Sequence, residues 1–147
     1  MLHSIRPLTS LLSPRAPTRL FSATAEVIVV CTGAPLKGMG WYHTEQLLMK
    51  KCPSAAITTV VEPYFLGAGK LSAGSAEFKE WQAANKDKLT FLSSLGDLPN
   101  PTGPRLAVIS GRTGDNPRLL NDAIENGCSA VYLEKPGAPT VRELEVS

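Results

Sequence analysis

The sequence offers few groups that could do chemistry, and they fall into three sets. The first is "CTGAPLKGMGWYH", with glycines at Gly33, Gly38 and Gly40. A dinucleotide site needs a strand that turns sharply, a backbone that approaches the pyrophosphate with no Cβ in the way, and a helix N-terminus aimed at the negative charge. Gly33 suits the turn, and Gly38 and Gly40 suit close approach to phosphate and to the sheet. The spacing G-x-x-x-x-G-x-G is longer than the usual G-x-G-x-x-G, with Pro35 and Lys37 inside the loop. Lys37 offers a cation to phosphate or is a solvated loop lysine. Alone, this pattern leaves a nucleotide cradle, an S-adenosylmethionine site of a methyltransferase and a plain loop all open.

The second is Glu62, which closes the β-branched run "AAITTVVE" downstream of the glycines. A carboxylate at that strand end is placed to accept hydrogen bonds from adenosine ribose hydroxyls, and it disfavours a 2′-phosphate. NAD is on that ground preferred over NADP, with Lys70 a downstream cation that would weaken the preference. The third is the tripeptide Glu134, Lys135, Pro136, where an ammonium follows an apolar run. The other reactive residue types carry less. Cys31, Cys52 and Cys128 are widely spaced and without C-x-x-C, which argues against a disulfide framework or a zinc site. Cys31 and Cys128 read as small buried apolar residues, no metal is expected, and His43 is expected to pack within the first helix.

These groups need elements to hold them. "EVIVVCTG" reads as a strand buried on both faces, followed by a helix over "GWYHTEQLLMKKCP" with Trp41, Gln46 or Leu47, and Leu48 on one face, Lys50 and Lys51 in the last turn and Pro53 as the stop. "AAITTVVEP" is a second strand, "SAEFKEWQAANKDK" a helix anchored by Phe78 and Trp81, "LTFL" a short strand and "GDLPNPTGP" a loop. "RLAVIS" is a strand, "DNPRLLNDAIENG" a helix with Asn116 as cap, Pro117 in the first turn and Gly127 as terminator, and "SAVYLEKP" a strand. "TVRELE" opens a last helix, with Thr140 and Glu143 at capping-box spacing. Strands alternating with helices predict an α/β, Rossmann-like parallel sheet with helices on both faces.

The first 25 residues stand apart from this pattern. They carry Arg6, Arg15 and Arg19 with no acid before Glu26, and the net charge of +2, less these three, leaves the remainder at −1. Such an Arg- and Ser-rich, acid-free leader predicts a disordered organellar transit peptide over residues 1–25 and a folded domain over 26–147. "RLFS" at Arg19 to Ser22 resembles a mitochondrial processing site, with plastid or cytoplasmic location as alternatives. The basic balance belongs to the leader, so nucleic acid is not implied, and no apolar run is long enough to span a membrane.

"AIENGCSAVYLEKPGAPTVRELE" closely resembles the E-K-P segment of the Gfo/Idh/MocA oxidoreductases, the family of glucose-fructose oxidoreductase and inositol dehydrogenase. "GMGWYHTEQLL" also fits that family's first helix, where a His commonly follows the last glycine by three residues, as His43 follows Gly40. The resemblance implies an NAD- or NADP-binding Rossmann domain, with Gly33, Gly38 and Gly40 near the pyrophosphate and Glu62 near the ribose. Glu134, Lys135 and Pro136 would stand at the nicotinamide end, Lys135 as the catalytic residue that orients a sugar or polyol hydroxyl during hydride transfer, and Pro136 shaping the backbone. Two departures accompany it. "SGRTGDNPRLL" replaces the family's Thr-Pro-Asn turn and following His, so Ser110, Arg112 and Asn116 receive no assigned contacts. The second domain that supplies most of the substrate pocket and an acid/base is also absent from this sequence, so the chain is expected to be incomplete as a catalyst alone. The alternative is a non-catalytic dinucleotide-sensing or interaction module, with a homo-oligomer through an uncovered sheet edge as an expected partner.

Overall fold

The computed structural model describes residues 24–145, so nearly all of the expected leader lies outside the described residues. Ala25, counted above with the leader, in fact opens the first strand. The elements run β1 (Ala25–Val30), α1 (Gly38–Leu48), β2 (Ala55–Val61), α2 (Ser75–Asn85), β3 (Thr90–Leu92), β4 (Arg105–Ile109), α3 (Asn116–Glu125), β5 (Ala130–Leu133) and α4 (Val141–Glu145). A π-type turn at Tyr64–Ala68 and a 3-10 turn at Leu95–Asp97 interrupt the connections. The five strands form one sheet in the order β3-β2-β1-β4-β5, and every neighbouring pair is parallel.

Both faces of the sheet are covered, which is why β1 and β4 run on as continuous apolar stretches, Val27–Val30 and Leu106–Ile109, rather than alternating. Ile28 and Val30 of β1 pack with Ile109 of β4 against Leu119 and Ala123 of α3. The intervening Val27 and Val29 point the other way, onto Leu47 of α1. A third cluster joins Phe78 and Trp81 of α2 to Phe65 and to Phe91 on the β3 edge. Its rings meet edge-on or stacked at centroid separations of 5.2 Å for Phe65 with Phe78 and 5.4 Å for Trp81 with Phe91.

Local details depart from the sequence reading where packing overrides local signals. Helix α1 ends at Leu48, and Lys50 lies beyond it at φ +55°, so the two lysines follow the helix instead of closing it. Its buried positions are Gly40, Trp41 and Thr44, not Leu48. Thr44 is inside because its hydroxyl lies 2.6 Å from that of Thr32 and donates to the Gly40 carbonyl oxygen at 2.8 Å. In α3 the cap is Asp115, and Asn116 is the first helical residue, its side chain drawn elsewhere. Gly127 terminates that helix at φ +83° as expected.

The amino ends of the strands are held by one buried cation. Arg105 is 2% exposed and its guanidinium donates to Glu26 Oε2 at 2.8 Å, to the Pro99 carbonyl oxygen at 2.9 Å and to that of Asn126 at 3.3 Å. Thr58 Oγ1 donates to the other oxygen of Glu26, so β1, β2 and β4 are tied at that end. Removing the carboxylate leaves a buried charge short of its counter-ion, and Glu26→Gln is expected to cost about 3 kcal/mol. In urea denaturation the double variant Glu26→Gln/Arg105→Met should lose much less than the sum of the two single changes.

Candidate functional site

In a sheet of order β3-β2-β1-β4-β5 the chain leaves β1 toward β2 on one side and later returns to β4 on the other. The loops after β1 and β4 therefore diverge, and a crevice opens at the carboxyl ends of those strands. Here it is a cleft of about 240 Å³ lined by Cys31 and Gly33 after β1, Glu62 to Phe65 after β2, and Ser110 to Arg112, Asp115, Arg118 and Leu119 after β4. The Arg112 guanidinium lies 5.6 Å from the Tyr64 ring centroid, bridging the two lips. A larger hollow of about 480 Å³ sits at the opposite end of the sheet, between Leu47, Cys52, Pro53, Ile57 and Leu89. It is mainly apolar and holds none of the predicted site residues.

The glycine loop forms the floor of this edge. Gly33 and Gly38 have φ of +78° and +82°, values that L side chains adopt at a cost. At Gly40 the constraint is contact. A Cβ there would collide with the Cys31 carbonyl oxygen and lie 2.9 Å from that of Thr32, so only glycine lets α1 pack so closely on the end of β1. A Cβ on Gly38 would meet nothing within 4 Å, so the space over the start of α1 is open. The cap residue of α1 is Lys37, which makes no side-chain cap hydrogen bond, and the first turn carries no acid. A helix start without a carboxylate, facing open space beside a glycine, has the form a phosphate fills.

Glu62 is 2% exposed and binds this loop directly. Its Oε2 accepts the Gly33 N–H at 3.0 Å and its Oε1 accepts the Tyr64 N–H at 3.3 Å. Burial pushes its carboxyl above the ordinary range, against the pull of the N–H groups of Gly33, Tyr64 and Phe65. The carboxylate thus fixes the shape of the turn as well as lining the cleft. Cys31 lines the same cleft, but burial, with Glu62 and Asp115 nearby, pushes its thiol up to about 12. It is an inert thiol at neutral pH, as its reading as a non-nucleophile expects, although it is only half-buried, on the cleft wall, and not the fully buried residue the sequence suggested.

Lys135 stands at the same carboxyl edge, after β5. Its side chain is exposed and makes no hydrogen bond or ion pair with other described residues, while the turn that carries it is gripped from two sides. The Lys135-Pro136 peptide bond is cis. From α1, His43 Nε2 lies 2.7 Å from Glu134 Oε1, and the Tyr132 hydroxyl donates to the same oxygen at 3.0 Å. The His43 ring also meets the Tyr132 ring edge-on at 5.3 Å. From α3, Asn116 Nδ2 donates to the Pro136 carbonyl oxygen at 3.1 Å. His43 is therefore not a packing residue of the first helix: it crosses the edge to hold Glu134. The hydrogen bonds from His43 and Tyr132 hold the Glu134 carboxyl below its ordinary range. Among the described residues no cluster of His, Cys, Asp and Glu could hold a metal ion, and no helix is long and apolar enough to cross a membrane.

The structure thus gathers Gly33, Gly38, Gly40 and Glu62 on one stretch of the carboxyl edge and Glu134, Lys135 and Pro136 on another. His43 and Asn116 join the second set from α1 and α3. The signal for His43 was its place one turn into the helix after Gly40. Nothing local in the sequence distinguishes Asn116 from an ordinary cap.

No family model matches the sequence, and no curated protein sequence matches it. Solved structures do share its fold. Gal80p of Saccharomyces cerevisiae, in its super-repressor mutant form, superimposes with a TM-score of 0.61 at 15% identity over 84% of this chain and 30% of its own. YvaA of Bacillus subtilis, provisionally described as an oxidoreductase, gives 0.57 at 18% identity over 84% of this chain and 30% of its own. An NAD-binding protein of Listeria innocua gives 0.56 at 18% identity over 84% and 31%. The chain therefore spans about a third of the length of the structures it matches. The α/β fold of five parallel strands is one it shares with these proteins.

The depressed Glu134 carboxyl has a consequence for stability. Its ordinary value is 4.5, so its contacts stabilise the folded chain above that pH and are lost as pH falls through the lowered folded value. Glu62, displaced upward, contributes the opposite slope and is untouched by changes at position 134. Relative to the native chain, Glu134→Gln is expected to flatten the acid-side fall in melting temperature from about pH 5 to about pH 3, read by circular dichroism. A curve parallel to that of the native chain would show that the His43 pair contributes nothing.

Proposed function

We propose that residues 26–147 form the nicotinamide-dinucleotide-binding domain of a Gfo/Idh/MocA-type oxidoreductase whose reaction is hydride transfer with a sugar or polyol hydroxyl. The observation that carries this reading is the unguarded start of α1. Open space over Gly38, a cap residue with no acceptor and the close approach at Gly40 lie at the carboxyl edge that also bears Lys135. The residues present fit such a cofactor: Gly33, Gly38 and Gly40 would hold the pyrophosphate, Glu62 would stand by the adenosine ribose, and the turn of Glu134, Lys135 and Pro136 would face the nicotinamide. When bound, the dinucleotide supplies the hydride acceptor or donor. Lys135 then orients the substrate hydroxyl and stabilises negative charge on its oxygen.

The proposal covers NAD and NADP alike. The argument for NAD rests on a carboxylate presented to the ribose, and Glu62 is buried with both oxygens engaged by backbone N–H groups. Arg112 and Arg118 line the same cleft and would tolerate a 2′-phosphate.

Lys37→Asp separates cofactor binding from folding. Aspartate is a favoured helix cap, so the variant is expected to be more stable by about 1 kcal/mol. The same carboxylate would occupy and repel the pyrophosphate position, and NADH or NADPH affinity in a fluorescence titration should fall by roughly tenfold or more. Failure of the native chain to bind either nucleotide at about millimolar concentration, where even −4 kcal/mol of binding would register, would overturn the proposal.

The Arg-rich, acid-free leader is proposed to direct the chain to mitochondria. Residues 1–25 fused to a fluorescent protein are expected to carry it there, and replacing Arg6, Arg15 and Arg19 with Gln should abolish the localisation. Uniform cytosolic fluorescence of the unaltered fusion would refute the assignment.

A further inference from the structure

We infer that Asn116 is a positioning residue for Lys135, its buried carboxamide fixing the turn on which that ammonium stands. Asn116 is 2% exposed, yet it serves its own helix poorly. The cap position belongs to Asp115, and Asn116 Oδ1, the atom that would cap, is buried with no hydrogen-bond partner. A buried acceptor left unpaired costs free energy, so helix stability does not explain this side chain. Its amide nitrogen is spent at the sheet edge instead. Nδ2 donates to the Pro136 carbonyl oxygen at 3.1 Å and reaches that of Glu134 at 3.5 Å, the two carbonyls that flank Lys135.

The carboxamide is itself held in place. A Cβ on Gly111 would lie 2.8 Å from Asn116 Oδ1 and 2.7 Å from Leu119 Cδ1, so the bare glycine makes the room that the side chain occupies. The Asn116 N–H donates to the Arg112 carbonyl oxygen at 3.1 Å, which anchors the start of α3 to the loop after β4. Position is thereby passed from β4, through α3, to the Lys135 turn. The grip is independent of the one from His43, which acts on the Glu134 side chain from the opposite face of the sheet. Two fixed helices thus hold a short turn whose lysine has no other restraint among the described residues.

The functional consequence rests on the dinucleotide reading above, because only there does Lys135 face the nicotinamide end. Two variants of the full chain test it, Asn116→Leu, which keeps the bulk without the donor, and Asn116→Asp, which presents acceptors to both carbonyls. Each is expected to weaken NADH binding roughly fivefold while leaving ADP-ribose binding unchanged, since ADP-ribose lacks the nicotinamide. In the Lys135→Ala background, Asn116→Leu should add no further loss. Equal losses for NADH and ADP-ribose, or additive losses in the double variant, would overturn the inference by showing a general structural role.

Hydrogen exchange keeps the inference testable if the native chain binds neither nucleotide, an outcome that sinks the dinucleotide reading alone. Both variants should then raise amide exchange at Lys135, Gly137 and Ala138 while the β1 and β4 amides keep their native rates. Unchanged exchange in the turn would overturn the inference whatever the ligand results. Rise of all amides together, as in global unfolding, would do the same.

Discussion

The carboxyl edge depends on how closely α1 lies against the end of β1. Gly40 makes that approach, because any side chain there would strike the backbone of Cys31 and Thr32. The hydroxyls of Thr32 and Thr44 then meet at 2.6 Å and seal the contact with a buried polar pair. His43 stands beside Thr44 on the same helix, so the depth of that approach decides whether the imidazole reaches Glu134 across the edge. A larger residue at position 40 would lift the helix, open the loop over Gly33 and Gly38, and withdraw His43 together.

A second consequence follows for charge. The loop after β1 leans on a buried carboxyl group at the end of β2, Glu62, whose oxygens take the N–H groups of Gly33 and Tyr64. Those groups compensate only in part, since burial still pushes its carboxyl upward. A buried acid retained against that cost pins a loop that glycine otherwise leaves free. The start of α1 carries no such acid, and its macrodipole and amide groups face the open side. An acid is thus built in beneath the turn and left out above it.

Much of this was legible in the sequence, for a physical reason. Strands buried on both faces must be continuous apolar runs, and parallel strands must be separated by helices, so "EVIVV", "AAITTVV" and "RLAVI" declare themselves. Gly33, Glu62 and the E-K-P turn mark the carboxyl edge because glycines and charged residues close those runs. Contacts between elements distant in sequence were not legible. Asn116 looks like a cap by composition, and only the fold shows the Pro136 carbonyl within 3.1 Å of its amide. Thr44 looks like a surface residue until Thr32 is found beside it, and His43 like a packing residue until β5 brings Glu134 to it. Burial of Glu62 was equally invisible, because a strand-ending acid reads the same whether it faces water or a backbone turn.

The division of labour at the edge follows from which groups remain uncommitted. In the reaction proposed above, transfer of hydride from an alcohol carbon would require that the hydroxyl proton leave as well, so both a hydride acceptor and a proton acceptor would be needed. His43 directs Nε2 at Glu134, and Glu134 accepts from His43 and Tyr132 through a single oxygen. Glu62 lines the cleft with both oxygens taken by backbone N–H groups, and the Cys31 thiol is held protonated by burial and nearby acids. Lys135 is the group at the E-K-P turn whose head is left unengaged by the described residues, and an ammonium orients and stabilises an oxygen more readily than it removes a proton. At the E-K-P turn the described residues therefore leave one cation uncommitted, while His43, Tyr132 and Glu134 are engaged with one another in holding that turn.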